Sequence, residues 1–203
     1  EQGRIIFDNI RKFVVYLLSG NVSQIMIIFL ASLANMTLPL LPLQILFLNL
    51  INDVFPALAL GVGGGNPEMM KQPPRDPQEP VLTRRCWVDI FWYGALITAS
   101  VFGAFLLAFY WLEVDNEMAI TISFLTLAFG RLWHILNMRS IGTGIWDNEV
   151  ARNVYVWLAL GFCTCLLIGA VYLPVISTVL KVLRPGWREW LLIAVITAAV
   201  ITV

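Results

Sequence analysis

Asp53 is the residue best placed to do chemistry. It lies in Leu46-Phe47-Leu48-Asn49-Leu50-Ile51-Asn52-Asp53-Val54-Phe55-Pro56, and of the thirteen acidic residues only this one falls in the middle of a long apolar run. On a helix Asn49 shares its face at a spacing of four, and Asn52 lies beside Asn49 at a spacing of three. Pro56 has no N–H, so the carbonyl of Asn52 loses its usual helical partner and the turn is pushed open. One turn thus offers a carboxylate, two side-chain amides and a freed main-chain carbonyl. All are oxygen donors, the kind that hard cations such as calcium prefer. A polar cluster that only joins helices is the plainer alternative. The carboxylate favours an ion site, because an ionisable group in hydrocarbon is costly unless it is paired or faces water.

A second polar cluster, Ser19-Gly20-Asn21-Val22-Ser23-Gln24, interrupts an earlier apolar run. Asn21 and Gln24 share a face, with Gly20 and Tyr16 along the side of Gln24. This cluster either completes an oxygen cage or makes hydrogen bonds between helices. A third run, Phe129-Gly130-Arg131-Leu132-Trp133-His134, holds a basic residue about 9 Å from a span end at 1.5 Å per residue. Arg131 either snorkels to the headgroups or turns inward to pair with Asp53. His134, nearer the surface, is expected at the membrane interface and not in a proton relay.

The elements that carry these residues are membrane spans. The chain is 59% hydrophobic and 13% charged, with a mean hydropathy of +0.80, whereas a soluble domain carries about a quarter of its residues as charge. The charges gather between apolar stretches, each long enough to cross a bilayer of roughly 30 Å. The expected fold is all-α, a polytopic bundle of six transmembrane helices in one domain over residues 1–203. The spans are expected at roughly 13–34, 42–62, 88–112, 118–136, 153–173 and 188–203. The Trp and Tyr residues at their edges, such as Trp87, Trp111, Tyr172 and Trp187, are expected as interface anchors. Cys163 and Cys165, two apart, face nearly opposite ways and are expected to pack separately.

Orientation follows from the short loops. Arg4, Arg11, Lys12, Lys71, Arg75, Arg84, Arg85, Arg139 and Arg152 fall on one side, against Lys181, Arg184 and Arg188 on the other. Both termini are therefore expected in the cytoplasm, and the membrane is expected to be the plasma (inner) membrane. The polar start, Glu1 to Lys12, does not read as a cleavable signal peptide, and its abruptness suggests a piece of something longer. The loop over residues 63–87 is Pro-rich, with Gln72-Pro73-Pro74-Arg75-Asp76-Pro77-Gln78-Glu79-Pro80 favouring extended chain. It serves either as a stiff linker or as a docking strand for a cytoplasmic domain. Zero formal net charge points to no nucleic-acid partner.

At this point a resemblance enters. Pro42-Leu43-Gln44-Ile45-Leu46-Phe47-Leu48-Asn49-Leu50-Ile51-Asn52-Asp53 through Pro56-Ala57-Leu58-Ala59-Leu60-Gly61 resembles the sixth transmembrane helix of P-type ATPases, in the calcium-pump and sodium-pump branches. Gly3-Arg4 through Asn9-Ile10 resembles the stalk of their fifth helix, Met70 to Pro80 the loop after the sixth, and Leu136-Asn137-Met138-Arg139-Ser140 the end of the eighth. The resemblance covers the whole chain and implies helices five to ten of such a pump.

It further implies that Asn49, Asn52 and Asp53 stand at cation-ligand positions, and Asn21 at another. Gln24 and Arg131 stand where two-site calcium pumps place glutamates. These departures tell against a second calcium site and suggest Arg131 as an internal counter-charge replacing one transported cation. ATP and Mg2+ would act only through cytoplasmic domains: neither the Asp-Lys-Thr-Gly-Thr nor the Thr-Gly-Glu-Ser motif occurs in these residues. The expected function is the transport half of a pump for calcium or another divalent cation, inactive by itself. Its expected partners are the N-terminal membrane helices, the cytoplasmic domains and the lipid bilayer. The competing reading is a stand-alone, non-enzymatic membrane module that assembles with or regulates another protein. A secondary transporter is disfavoured by the lack of an internal repeat.

Overall fold

The structure is a computed structural model describing residues 2–63, 80–139 and 148–201. The expectations for Lys71, Arg75, most of the Pro-rich stretch and Ser140 lie outside the described residues. The described chain is helical in the order α1 (Gln2–Leu33), α2 (Pro42–Leu48), a π turn (Asn49–Asp53), α3 (Val54–Gly61), α4 (Arg84–Tyr110), α5 (Asn116–His134), a 3-10 turn (Ile135–Met138), α6 (Val154–Tyr172), α7 (Pro174–Leu180) and α8 (Trp187–Ala199).

Local chemistry sets these boundaries. The side chains of Thr83, Asp115 and Asn153 accept backbone N–H groups at the starts of α4, α5 and α6, satisfying donors that a helix leaves open. Pro42 and Pro174 stand in the first turns of α2 and α7, where a missing N–H costs nothing. Lys181 ends α7 with a left-handed φ of 51°.

Among the described residues, five stretches are long and apolar enough to cross a membrane: Gln2–Leu33, Pro42–Gly61, Arg84–Tyr110, Asn116–Met138 and Val154–Tyr172. The last helix, α8, has 13 residues, about 20 Å at 1.5 Å per residue. Its pass nonetheless follows α5 closely. Leu183 N–H donates to Thr121 Oγ1, the rings of Phe129 and Trp190 meet, and Asn137 Nδ2 donates to the Val200 carbonyl. Non-helical residues from Val182 to Gly186 thus cover depth that a longer helix would have covered.

Cross-chain bonds mark the two ends of the bundle. At one end Asn9 Nδ2 donates to the Gly61 and Gly63 carbonyls, Arg11 Nε to the Val81 carbonyl, and Lys12 pairs with Glu149 at 2.7 Å. At the other, Gln44 Nε2 donates to the Leu180 carbonyl. The start of α1 and the end of α8 therefore lie at the same end. The outer surface is also unlike that of a soluble protein, and the largely apolar core holds several polar groups. Leu43, Leu46, Leu50, Leu58, Leu158 and Phe162 are exposed, while Ser19, Asn52, Arg131 and His134 are buried. Polar side chains inside and apolar ones outside are what hydrocarbon surroundings require.

Candidate functional site

The wide turn comes directly from sequence. Pro56 cannot donate to the Asn52 carbonyl, and the backbone ahead of it relaxes into the π turn Asn49–Asp53. Sequence reasoning leaves that carbonyl free as a cation ligand; in the structure the hydroxyl of Tyr16, on α1, donates to it at 2.9 Å. The freed carbonyl is therefore occupied, because an unpaired carbonyl at this depth is costly and a buried tyrosine needs an acceptor. Asn52 turns towards α5, its Nδ2 donating to the Ala128 carbonyl at 3.0 Å.

Asn49 and Asp53 face a different partner. Arg131 is 1% exposed and its Nη2 pairs with Asp53 Oδ1, so the inward alternative is the one adopted and no snorkelling occurs. Arg131 Nη1 also reaches Asn49 Oδ1 at 3.5 Å, and Gln24 Nε2 donates to the same oxygen at 2.9 Å. α1, the π turn and α5 thereby meet through Gln24, Asn49, Asp53 and Arg131. Two buried oxygens, Asn21 Oδ1 and Asn52 Oδ1, have no hydrogen-bond partner. Among the described residues no group of three His, Cys, Asp or Glu side chains could hold a metal ion. Asp53 is the lone carboxylate of this cluster.

His134 corrects an expectation. It is wholly buried, not interfacial. Its ring stacks on Tyr16 at 5.9 Å and meets Tyr93 at 4.5 Å between centroids, and its Nε2 lies 2.8 Å from Ser19 Oγ. Ser19 gives its one proton to the Tyr16 carbonyl at 2.9 Å, so His134 donates from Nε2 and its Nδ1 accepts from Asn137 Nδ2 at 3.4 Å. The hydrogen-bond pattern thus assigns the neutral Nε2–H tautomer. Its spacing of three from Arg131 puts both on the side of α5 facing α1. Cys163 and Cys165 are free; Cys163 is buried, with Sγ 3.5 Å from the Ile51 carbonyl, and Cys165 is exposed. Trp87, Trp111, Tyr172 and Trp187 are exposed near helix ends.

Sequence reasoning missed the roles of Tyr16, Ser19 and Asn9. The only signal for Tyr16 was its place on the face of Gln24; nothing in the sequence marks Asn9 as a cap for the end of α3.

Helical crossings, lipid-compatible outer faces and a charge pair in a polar interior define a multi-pass α-helical membrane protein. A family model described as "Cation transporting ATPase, C-terminus" matches residues 37–203, and the chain belongs to that family. It corresponds to the C-terminal membrane region of P-type cation-transporting ATPases. It is 33% identical over 193 residues to a "Calcium-transporting ATPase" of Bacillus subtilis (strain 168), covering 95% of this chain and 22% of the relative. "Calcium-transporting ATPase 1" of Lactococcus lactis is 32% identical over the same number of residues, with the same coverage. "P-type sodium-transporting ATPase4" of Plasmodium falciparum is 47% identical over 94 residues, 46% of this chain and 7% of the relative. The chain thus spans about a fifth of the length of the two bacterial relatives, at 22% of each.

Proposed function

We propose that this chain, as a single transmembrane domain, supplies cation-coordinating residues to the transport site of an ATP-driven pump. Asp53 is the charged ligand; Asn49, Asn52, Asn21 and Gln24 contribute amide oxygens; Arg131 is the internal counter-charge. The observation that carries the reading is a carboxylate at membrane depth, opened by a π turn and held by a guanidinium among carboxamides. An acid in such a place is a functional group by default. The pair has a direct consequence for transport. Arg131 competes with an arriving cation for Asp53, and its fixed positive charge takes the place of a second transported ion.

The cargo is calcium or another divalent cation, as the names of the bacterial relatives suggest. Such hard cations take six to eight oxygen ligands, or near-octahedral geometry for magnesium. This chain offers one carboxylate, so the N-terminal membrane helices of the intact pump supply another. Its cytoplasmic domains supply ATP and Mg2+ binding, and both termini of the chain face them in a plasma (inner) membrane. The test is ATP hydrolysis by the intact pump, titrated with calcium. Asp53→Asn abolishes the stimulation; stimulation retained at ordinary affinity refutes the site. Arg131→Gln alters the number of ions moved per ATP, and an unchanged stoichiometry and affinity discard the counter-charge.

A further inference from the structure

Gly20 lies in the interior of α1 and is buried. No turn requires it there: the helix runs on through it, and its φ is not in the left-handed region. In a helix interior glycine is less favourable than alanine, so another reason for its presence is needed. A Cβ added at Gly20 would stand 2.5 Å from both Arg131 Nε and Nη2 and 2.7 Å from Cζ. Three atoms of the guanidinium group thus lie against the bare backbone of α1. The end of a long side chain usually moves aside at little cost, but this one is buried and tied to Asp53 and Asn49. A methyl group at position 20 therefore requires the guanidinium to shift from its present place on Asp53.

Other glycines set this apart. A Cβ at Gly94, on α4, would meet Val22 Cγ1 at 2.9 Å, a close approach of two helices of the ordinary kind. At Gly61, Gly103 and Gly161 a Cβ would meet nothing within 4 Å. At Gly186, the N-cap of α8, Glu189 Oε2 would stand 2.6 Å away, but that group belongs to the first turn of the same helix. Among the described glycines only Gly20 has a charged side chain from another helix in the space of its missing methyl group.

We infer that Gly20 is a positioning residue: it forms the seat that holds the Arg131 guanidinium on Asp53, and so sets how strongly the resident charge competes with an incoming cation. This rests on the reading of Asp53 as a cation ligand and adds the residue that tunes it. The experiment is a double-mutant cycle of Gly20→Ala and Arg131→Ala in the full-length pump. It reads the thermal midpoint in detergent and the calcium concentration giving half-maximal ATP hydrolysis. Gly20→Ala lowers the thermal midpoint, yet it tightens calcium activation by roughly tenfold, as about 1.4 kcal/mol of lost competition would. A general packing defect would instead weaken both. In the Arg131→Ala background, Gly20→Ala leaves calcium activation unchanged and no longer lowers the thermal midpoint, which instead holds or rises as alanine replaces glycine inside a helix.

Wild-type values in Gly20→Ala, or equal effects in both backgrounds, overturn the inference. If Gly20→Ala alone yields no folded pump, recovery in the double variant supports it; failure of the double variant while Arg131→Ala folds overturns it. If Asp53→Asn leaves calcium activation untouched, the transport reading fails by itself. The thermal cycle still decides whether Gly20 seats Arg131.

Discussion

Two helices of this bundle carry opposite lessons. In α5 and its 3-10 extension, 83% of the most apolar window is buried, against 33% in α6. The buried helix holds Thr121, Ser123, Thr126, Arg131 and His134, whereas the interior of α6 carries Thr164 as its one hydroxyl-bearing residue and no charge. α5 is surrounded by protein that answers its charged and ring-bearing groups, although Thr126 Oγ1 has no hydrogen-bond partner. Arg131 meets Asp53 and Asn49, and His134 meets Ser19, while Ser123 Oγ donates to the Ala119 carbonyl within α5 itself. α6 presents Leu158, Phe162 and Ile168 outward, where lipid can answer nothing. Polarity in a membrane helix is thus permitted by its neighbours.

The strongest way to break that contrast is to remove an answering group. Asp53→Ala leaves the Arg131 charge buried and unpaired, and is expected to cost about 3–5 kcal/mol. Thermal unfolding of the purified protein in detergent checks it. Asp53→Leu combined with Arg131→Met should recover most of the loss, since a well-packed apolar pair often matches a buried ion pair. A double variant as unstable as Asp53→Ala would show that the pair is not what holds α5 there.

Next comes a charge placed where no partner exists. Phe162→Arg, mid-way along α6, is expected to cost about 2.5–3.5 kcal/mol of membrane insertion, read as the inserted fraction in a glycosylation or protease-protection assay. Insertion at the wild-type level would mean that α6 faces protein in the intact assembly. The smallest effect comes from Tyr16→Phe. It strips the Asn52 carbonyl of its partner and is expected to cost about 1–3 kcal/mol, seen as a lower thermal midpoint. A neutral outcome would show that the π turn satisfies that carbonyl without α1.

Much of the fold was legible in advance. Apolar stretches separated by charged loops located the crossings, because a bilayer demands length and leaves the backbone no option but the helix. The last pass was less legible: the expected span began near residue 188, while the non-helical residues before Trp187 take up part of its depth. Asp53 and Asn49 were legible as neighbours, since four residues make one helical turn. Asn52 was legible only in part. A proline announces that a turn will open, but a hydroxyl 36 positions away determined what took the carbonyl.

Sequence alone therefore determined that this protein is a helical membrane bundle with one acid at depth and a proline to open the turn around it. Those are properties of single segments, governed by hydropathy, helical spacing and the missing N–H. Tertiary structure alone decided that Arg131 turns inward, that His134 is buried and neutral, and that Gly20 is the backbone against which a guanidinium rests. Each depends on how α1 and α5 are rotated about their own axes. That rotation is set by packing between helices far apart in the chain, which no local pattern encodes.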